Sequence, residues 1–304
     1  MPRVSVIIPT NNRPHMLVRA VQSAARAGSS VEVIVVDDGS TDQTAQVCKE
    51  LEGIKYIRLE HNQGVAGARN IGILASSSDY VAFLDDDDLR LPGTLDKQVE
   101  VLMRNKQAGF VCAQMLMADQ KGRMTGEVAG PRSSGENAFW ELLELDFPVM
   151  PISVVIRKEC FNSVGLLNAN LSGIDDWDLL VRIAELYPVL VLNEPVSIYR
   201  KPTPYSGQGS SGQAQHLSRA LKHQLQLLRL PRVKLAPLAE QKEIRRRTVN
   251  RVVETLLWNA ALAAPPGANS FACRNIFAAL RLSPSHALRV ARPRRLAQVL
   301  KARR

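Results

Sequence analysis

Three groups of carboxylates stand out in this chain of 304 residues: Asp37 and Asp38 in VVDDGSTD, Asp85 to Asp88 in FLDDDDL, and Asp175, Asp176 and Asp178 in GIDDWDLLVRI. Four successive carboxylates repel one another, so setting them directly after an apolar run calls for a cation there. Oxygen ligands suit Mg²⁺ or Mn²⁺, which keep several waters and take one or two carboxylates plus phosphate oxygens. If the segment is extended, Asp85 and Asp87 face the same way. A solvated acidic turn or an adventitious calcium site is the bland alternative. Asp37 and Asp38, ending an apolar run before a glycine turn, can accept from the N–H and O–H groups of a base and a ribose; equally they can hold a turn, with Asp42 at a helix N-terminus. In the third group Asp175 can cap a helix with Asp178 in its first turn, an ordinary preference, while Asp176 beside Trp177 suits a general base if it faces a cleft. Arg69 in NQGVAGARN can neutralise phosphate, the glycines allowing close backbone approach, or it can be a plain surface arginine. His216 and His223 read as surface residues rather than metal ligands, and Trp140 and Trp258 as packing groups.

The elements that must position these acids alternate. VSVIIPT (4–10), VEVIVVDD (31–38), IKYIRLE (54–60) and YVAFLD (80–85) are strand-like; helices are expected over Pro14 to Ala27, from a cap at Ser40 or Thr41 to about Leu51, and near 65–76. Strand and helix in short alternation predict a mostly parallel sheet covered on both faces, whose ligands sit at the carboxyl ends of the strands. The first two acidic groups fall at such ends. From about 110 to 200, FVCAQMLM, PISVVIRK and VLVLNEPVSIYR read as further strands among helices, one of which starts near Asp175. KPTPYSGQGSSGQ (201–213) reads as a mobile loop suited to close over a bound ligand. Beyond it lie basic helices, with Leu217, Leu221, Leu225 and Leu228 on one face, and Val249, Val253, Leu256 and Ala260 on another.

Charge divides the chain. Residues 1–199 hold 18 Lys+Arg against 26 Asp+Glu, net −8, and residues 200–304 hold 21 against 3, net +18. A hydrophobic content of 45% fills a sizeable core. The four cysteines at 48, 112, 160 and 273 show no paired short spacing, so neither a zinc site nor a disulfide framework is expected. No signal peptide or membrane span is expected, and a reducing cytoplasm is the simplest setting.

In order, VSVIIPTNNR, VVDDGSTD, NQGVAGARN, YVAFLDDDDLRLP and GIDDWDLLVRI resemble the family-2 inverting glycosyltransferases of GT-A fold, over about residues 3–200. The resemblance implies a Rossmann-like α/β domain over 1–200, with a nucleotide-binding half to about 110 and an acceptor half after it. It leaves 214–304 as a basic helical appendage. It also implies that Pro9 or Thr10 and Asp38 line a nucleoside pocket beside Asp37, that Arg69, Asp85 and Asp86 lie on the donor side, and that Asp85 and Asp87 are the ends of an Asp-x-Asp motif with Asp87 the Mg²⁺ or Mn²⁺ ligand. Asp176 matches the catalytic base. The family's usual Glu-Asp pair is Asp175-Asp176 here, which leaves open which of the two is the base. Absence of a Gln-x-x-Arg-Trp motif points away from processive synthases. The implied partners are a nucleotide-diphosphate sugar, a UDP-sugar foremost, and a glycan or lipid-linked acceptor. The basic tail allows peripheral contact with the inner membrane face, or is a solvated cap; nucleic acid lacks a reader motif. Two other classes use related parts. A sugar nucleotidyltransferase would need a glycine-rich phosphate loop after the first strand, where Thr10-Asn11-Asn12-Arg13 supplies no glycine; a non-catalytic nucleotide-sugar or polyanion binding module would need no base.

Overall fold

The computed structural model describes residues 3–132, 135–144, 147–171, 173–201, 223–262 and 269–291. The chain forms two compact units, one of Met1–Leu142 with Phe147–Thr203, the other of Leu143–Asp146 with Pro204–Arg304.

The first unit is built on a nine-stranded sheet in the order β3-β2-β1-β4-β8-β6-β9-β5, with β7 on β6. Its strands are β1 Val4–Thr10, β2 Val31–Asp37, β3 Ile54–Arg58, β4 Tyr80–Phe83, β5 Leu89–Arg90, β6 Phe110–Ala118, β7 Met124–Ala129, β8 Val154–Arg157 and β9 Val189–Arg200. The stretch β3-β2-β1-β4 is parallel, whereas β8 runs antiparallel to both β4 and β6. Every residue of β1 is buried, because helices cover both faces. Val4, Val6 and Ile8 pack with Leu17, Ala20 and Ala24 of helix Pro14–Ala25 and with Leu95, Val99 and Leu102 of helix Thr94–Arg104. The alternate residue Ile7 meets helix Gly64–Ala75 on the opposite face, where a β-carbon on Gly72 would come within 2.3 Å of Ile7 Cγ2. Side-chain alternation along the strand produces this division.

Register decides what happens at the strand ends. Thr10 stands beside Asp37 and Asp37 beside Arg58, so β1, β2 and β3 end level. Ile7 pairs with Phe83, and the chain leaves β4 at Leu84, whose N–H donates to Ile7 O. The acids after both strands are thus delivered to one rim of the sheet.

Two local expectations are corrected. The helix after β2 begins only at Thr44, and Ser40 and Thr41 do not cap it. Ser40 Oγ instead accepts from Asn12 N–H, and Asn12 Oδ1 accepts from Thr41 N–H, while Asp42 Oδ1 takes the Thr44 N–H and hydroxyl. The hydroxyls are spent on a cross-strand link, which Asn12 makes from a left-handed conformation with φ 56°. Asp175 does not cap its helix either; Ile174 stands at the N-cap position without a side-chain hydrogen bond, and Asp175 is the first residue of Asp175–Leu186.

In the second unit, helices Leu238–Leu262, Asn269–Leu282 and Pro284–Val290 share a small core of Val252, Val253, Leu256, Leu257, Ala279, Ala287 and Val290. Val253, Leu256 and Ala260 lie on its buried side and Val249 packs against it. Glu243 pairs with Arg246 and Arg247, and Glu254 with His286. The expected loop after Lys201, with Leu217, Leu221 and His216, lies outside the described residues. No helix of the described residues is long and apolar enough to cross a membrane.

Candidate functional site

The rim where β1, β2 and β4 end carries a connected set of charges. Asp37, fully buried, is committed to the turn: Oδ1 accepts from Ser40 N–H at 2.9 Å and Oδ2 from the Tyr56 hydroxyl at 2.8 Å. Asp38 N–H donates to Thr10 O, and its carboxylate Oδ1 accepts from Gln63 N–H at 2.6 Å. Its main-chain carbonyl takes the side-chain amides of Asn11 and Asn62. Burial raises the Asp38 pKa above the ordinary carboxylate value, with Asp37 adding to the rise. Pro9 lies buried in β1 one residue before Thr10, paired with Val36. Gly39, at φ +72°, lets this turn pass close to His61 and Asn62, where a β-carbon would meet Asn62 N at 3.0 Å.

Asp85 to Asp88 do not alternate as an extended segment would. They form a turn, closed by Asp88 N–H on Asp85 O at 3.1 Å, and the turn splits them. Asp85 faces Arg69, Nη2 to Oδ1 at 2.6 Å; Asp86 and Asp87 both face Arg13, at 2.9 Å and 3.2 Å. Asp86 Oδ2 also accepts from the Thr10 hydroxyl at 2.8 Å, and Asp88 Oδ1 from Arg200 N–H at 2.7 Å. Burial pushes Asp86 up to about 6 despite Arg13, and raises Asp87 with help from Asp85. Asp88 is raised well above the ordinary range, by burial first and then by its three acidic neighbours. Negative charge here exceeds what two arginines offset.

Arg69 links this turn to the third group. Only 4% exposed, it bonds Asp85, lies 3.7 Å from Asp175 Oδ2, and stacks its guanidinium 5.3 Å from the Phe83 ring centre. It is therefore a buried ion-pair centre rather than a surface arginine. Asp175 is itself buried; Oδ1 accepts from Gly173 N–H, and Oδ2 has no hydrogen-bond partner. Burial and the neighbouring Asp176 raise Asp175 to about 6. Asp176 is only partly buried, with Oδ1 accepting from Trp177 N–H at 2.7 Å, and Trp177 is pinned by Nε1 donating to Leu142 O at 2.6 Å. Desolvation raises the Asp176 pKa against the pull of Arg69, and Asp85 adds to the rise. Asp178, by contrast, is spent on Arg182 four residues on, as a helix-stabilising pair.

One chain of contacts thus runs from Asp38 through Thr10 and Asp86 to Arg13 and Asp87, a second from Asp85 through Arg69 to Asp175, and the backbone of the acidic turn joins the two. Arg13 was not among the sequence candidates. The signal for it was present: a cation directly after a buried strand, in a sheet whose neighbouring strand ends in four acids. Among the described residues no three His, Cys, Asp or Glu side chains group as a full metal cage. The acidic turn is instead a donor set of one or two carboxylates with excess negative charge, the kind that fits Mg²⁺ or Mn²⁺ completed by phosphate oxygens and water.

Comparison with known proteins reaches the acids after β2 and β4, and the family match ends before Asp175 and Asp176. Residues 5–150 match the family model described as Glycosyl transferase family 2. An uncharacterized glycosyltransferase of Haemophilus influenzae is 29% identical over 199 residues, 64% of this chain and 67% of that protein. The GalNAc(5)-diNAcBac-PP-undecaprenol beta-1,3-glucosyltransferase of Campylobacter jejuni is 36% identical over 138 residues, 43% of each. The matched stretches span 67%, 22% and 30% of the lengths of the first three curated relatives. Among solved structures, S. aureus TarS 1–349 in complex with UDP-GlcNAc superposes with a TM-score of 0.69 at 17% identity, covering 94% of this chain and 82% of that one. The mannosyltransferase PcManGT from Pyrobaculum calidifontis in complex with GDP-Man and Mn²⁺ gives 0.60 at 19%, covering 98% and 83%. These two likenesses are of fold.

Proposed function

We propose that this chain, which belongs to glycosyl transferase family 2 through residues 5–150 and has the GT-A fold, is a nonprocessive, inverting glycosyltransferase dependent on Mg²⁺ or Mn²⁺. It takes a sugar from a nucleotide diphosphate, a UDP-sugar foremost, and places it on a hydroxyl of a glycan or lipid-linked acceptor. The observation that carries the reading is the set of contacts by which Thr10 ties the end of β2 to the acidic turn after β4, Arg13 holds Asp86 and Asp87 of that turn, and Arg69 ties Asp85 to the start of helix Asp175–Leu186.

In this reading Pro9, Thr10 and Asp38 border the nucleoside, with Asp37 fixing the turn that presents Asp38. Asp87 holds the divalent ion, with Asp85 and Asp86 beside it; the ion, when bound, offsets the charge that grows on the departing diphosphate. Arg69, held by Asp85 and Asp175, sets the spacing between the diphosphate end of the site and the base. Asp176 is the base rather than Asp175, because Asp175 is turned inward to Arg69 while Asp176 is partly open to an acceptor. Its raised pKa makes it a better proton acceptor than an ordinary carboxylate. The acceptor oxygen attacks the anomeric carbon from the side opposite the diphosphate; the carbon–oxygen bond to phosphate breaks, and the acceptor proton moves to Asp176. One displacement inverts the centre. The C. jejuni relative is named for transfer to a glycan on undecaprenyl diphosphate, which supports a lipid-linked acceptor here.

The test is transfer with a panel of nucleotide sugars, the anomeric configuration of the product read by NMR. Inverted product that disappears in Asp176→Asn supports the reading. Retained configuration, or full transfer by Asp176→Asn, overturns it.

A further inference from the structure

The second unit presents a surface that carries none of the residues placed in the candidate site. Helix Asn269–Leu282 buries Asn275 and Ala279 on one side and turns Cys273, Ile276 and Phe277 outward, with Phe277 68% exposed and Ile276 42% exposed. Helical spacing sets Phe277 between Cys273 and Arg281, each four residues away on the same outward stripe. The following helix exposes Leu288, 64% accessible, beside Arg289. These apolar tips stand in the part of the chain that holds 21 Lys+Arg against 3 Asp+Glu, and Glu243 and Glu254, two of those acids, are already paired within the unit.

Adjacent exposed apolar side chains within a charged surface mark an interaction site. The charge selects the kind of partner. A protein surface matching so large an excess would have to be almost wholly acidic, whereas an anionic bilayer offers negative charge over a plane and an apolar layer just beneath it for Phe277, Ile276 and Leu288. A nucleic acid offers the charge, but it gives Ile276 and Leu288 nothing apolar to enter. We propose that the outward face of helix Asn269–Leu282, which carries Phe277 and Arg281 on one stripe, docks this protein onto an anionic lipid surface together with the exposed Leu288 and Arg289 of the following helix. The inference stands apart from the transfer chemistry, because it rests only on the second unit.

The full chain is tested by cosedimentation with vesicles of phosphatidylglycerol and phosphatidylcholine, and with pure phosphatidylcholine. Binding to the anionic vesicles is expected, weakening as salt rises. Each basic residue near an anionic surface contributes about fivefold, so Arg281→Glu with Arg289→Glu is expected to weaken binding by about 25-fold or more. Phe277→Asp, at an exposed position, is expected to weaken it by about tenfold, with the melting curve and Mn²⁺-dependent nucleotide binding unchanged. Equal sedimentation with both vesicle types at low salt, or wild-type sedimentation by Phe277→Asp, overturns the proposal. Tighter binding to a single-stranded oligonucleotide than to the anionic vesicles also overturns it, as does a Phe277-dependent dimer that ignores vesicles.

Discussion

Replacing Asp175 by Asn is expected to stabilise the protein at neutral pH while lowering its activity. The residue is 6% exposed, its Oδ2 has only the Arg69 guanidinium at 3.7 Å, and burial with Asp176 lifts its pKa from 3.8 to about 6. At about 1.4 kcal/mol per pKa unit, holding the charge in the folded state at pH 7 costs about 3 kcal/mol relative to the unfolded chain. The sign follows from the raised value. The folded form binds this proton more tightly, so stability from this group is present at low pH and is lost as pH rises through about 4 to about 6. Between pH 5 and pH 7 one such group changes stability by about 1.3 kcal/mol. Asn keeps the shape without the charge, and Arg69 retains Asp85. Asp175→Asn should therefore gain about 1–3 kcal/mol at pH 7, a rise of roughly 2–10 °C in Tm for a unit of this size. Differential scanning fluorimetry of both proteins at pH 5, 6 and 7 in EDTA measures this. A variant that melts below wild type at pH 7, or a difference that does not shrink toward pH 5, would refute the reasoning. Glu32 does not interfere: its carboxylate is held below the ordinary range by Ser5 and Ser77, so its contribution is lost only in more acid solution.

Asp176→Asn is expected to lower kcat by about 10²- to 10⁴-fold with nucleotide binding intact, measured by steady-state transfer beside calorimetric titration. Arg13→Ala removes a partly exposed partner of Asp86 and Asp87, so without metal its Tm should fall by about 2–4 °C; saturating Mn²⁺ should erase the difference, because a cation again faces those acids. Gly72→Ala drives a methyl into Ile7, with a cost of about 1–3 kcal/mol that urea unfolding would reveal.

The strands that hold the site were legible because β1, β2 and β4 are buried on both faces and so spell continuous apolar runs. Helix Asp175–Leu186 was legible from acids in its first turn followed by LLVRI. What failed to show was what distant residues settle. Ser40 and Thr41 have capping chemistry, but Asn12, 28 and 29 residues away, takes both. Asp85 to Asp88 look extended after a strand, yet Arg13 and Arg69 pull them to different sides of a turn. Arg69 carries no local mark of burial, since the two acids and the ring that make its burial tolerable lie 14 to 106 residues on. The two-residue strand β5 shows no period of its own and exists through pairing with β9.

The central claim is that a divalent ion at the acidic turn after β4 joins the donor to this protein, and calorimetric titration of UDP with and without Mn²⁺ tests it most directly. Binding that requires Mn²⁺ in the wild type and is lost in Asp87→Ala, with an unchanged melting curve in EDTA, is the predicted result. Equal UDP affinity with and without Mn²⁺, or wild-type Mn²⁺-dependent binding by Asp87→Ala, would contradict it.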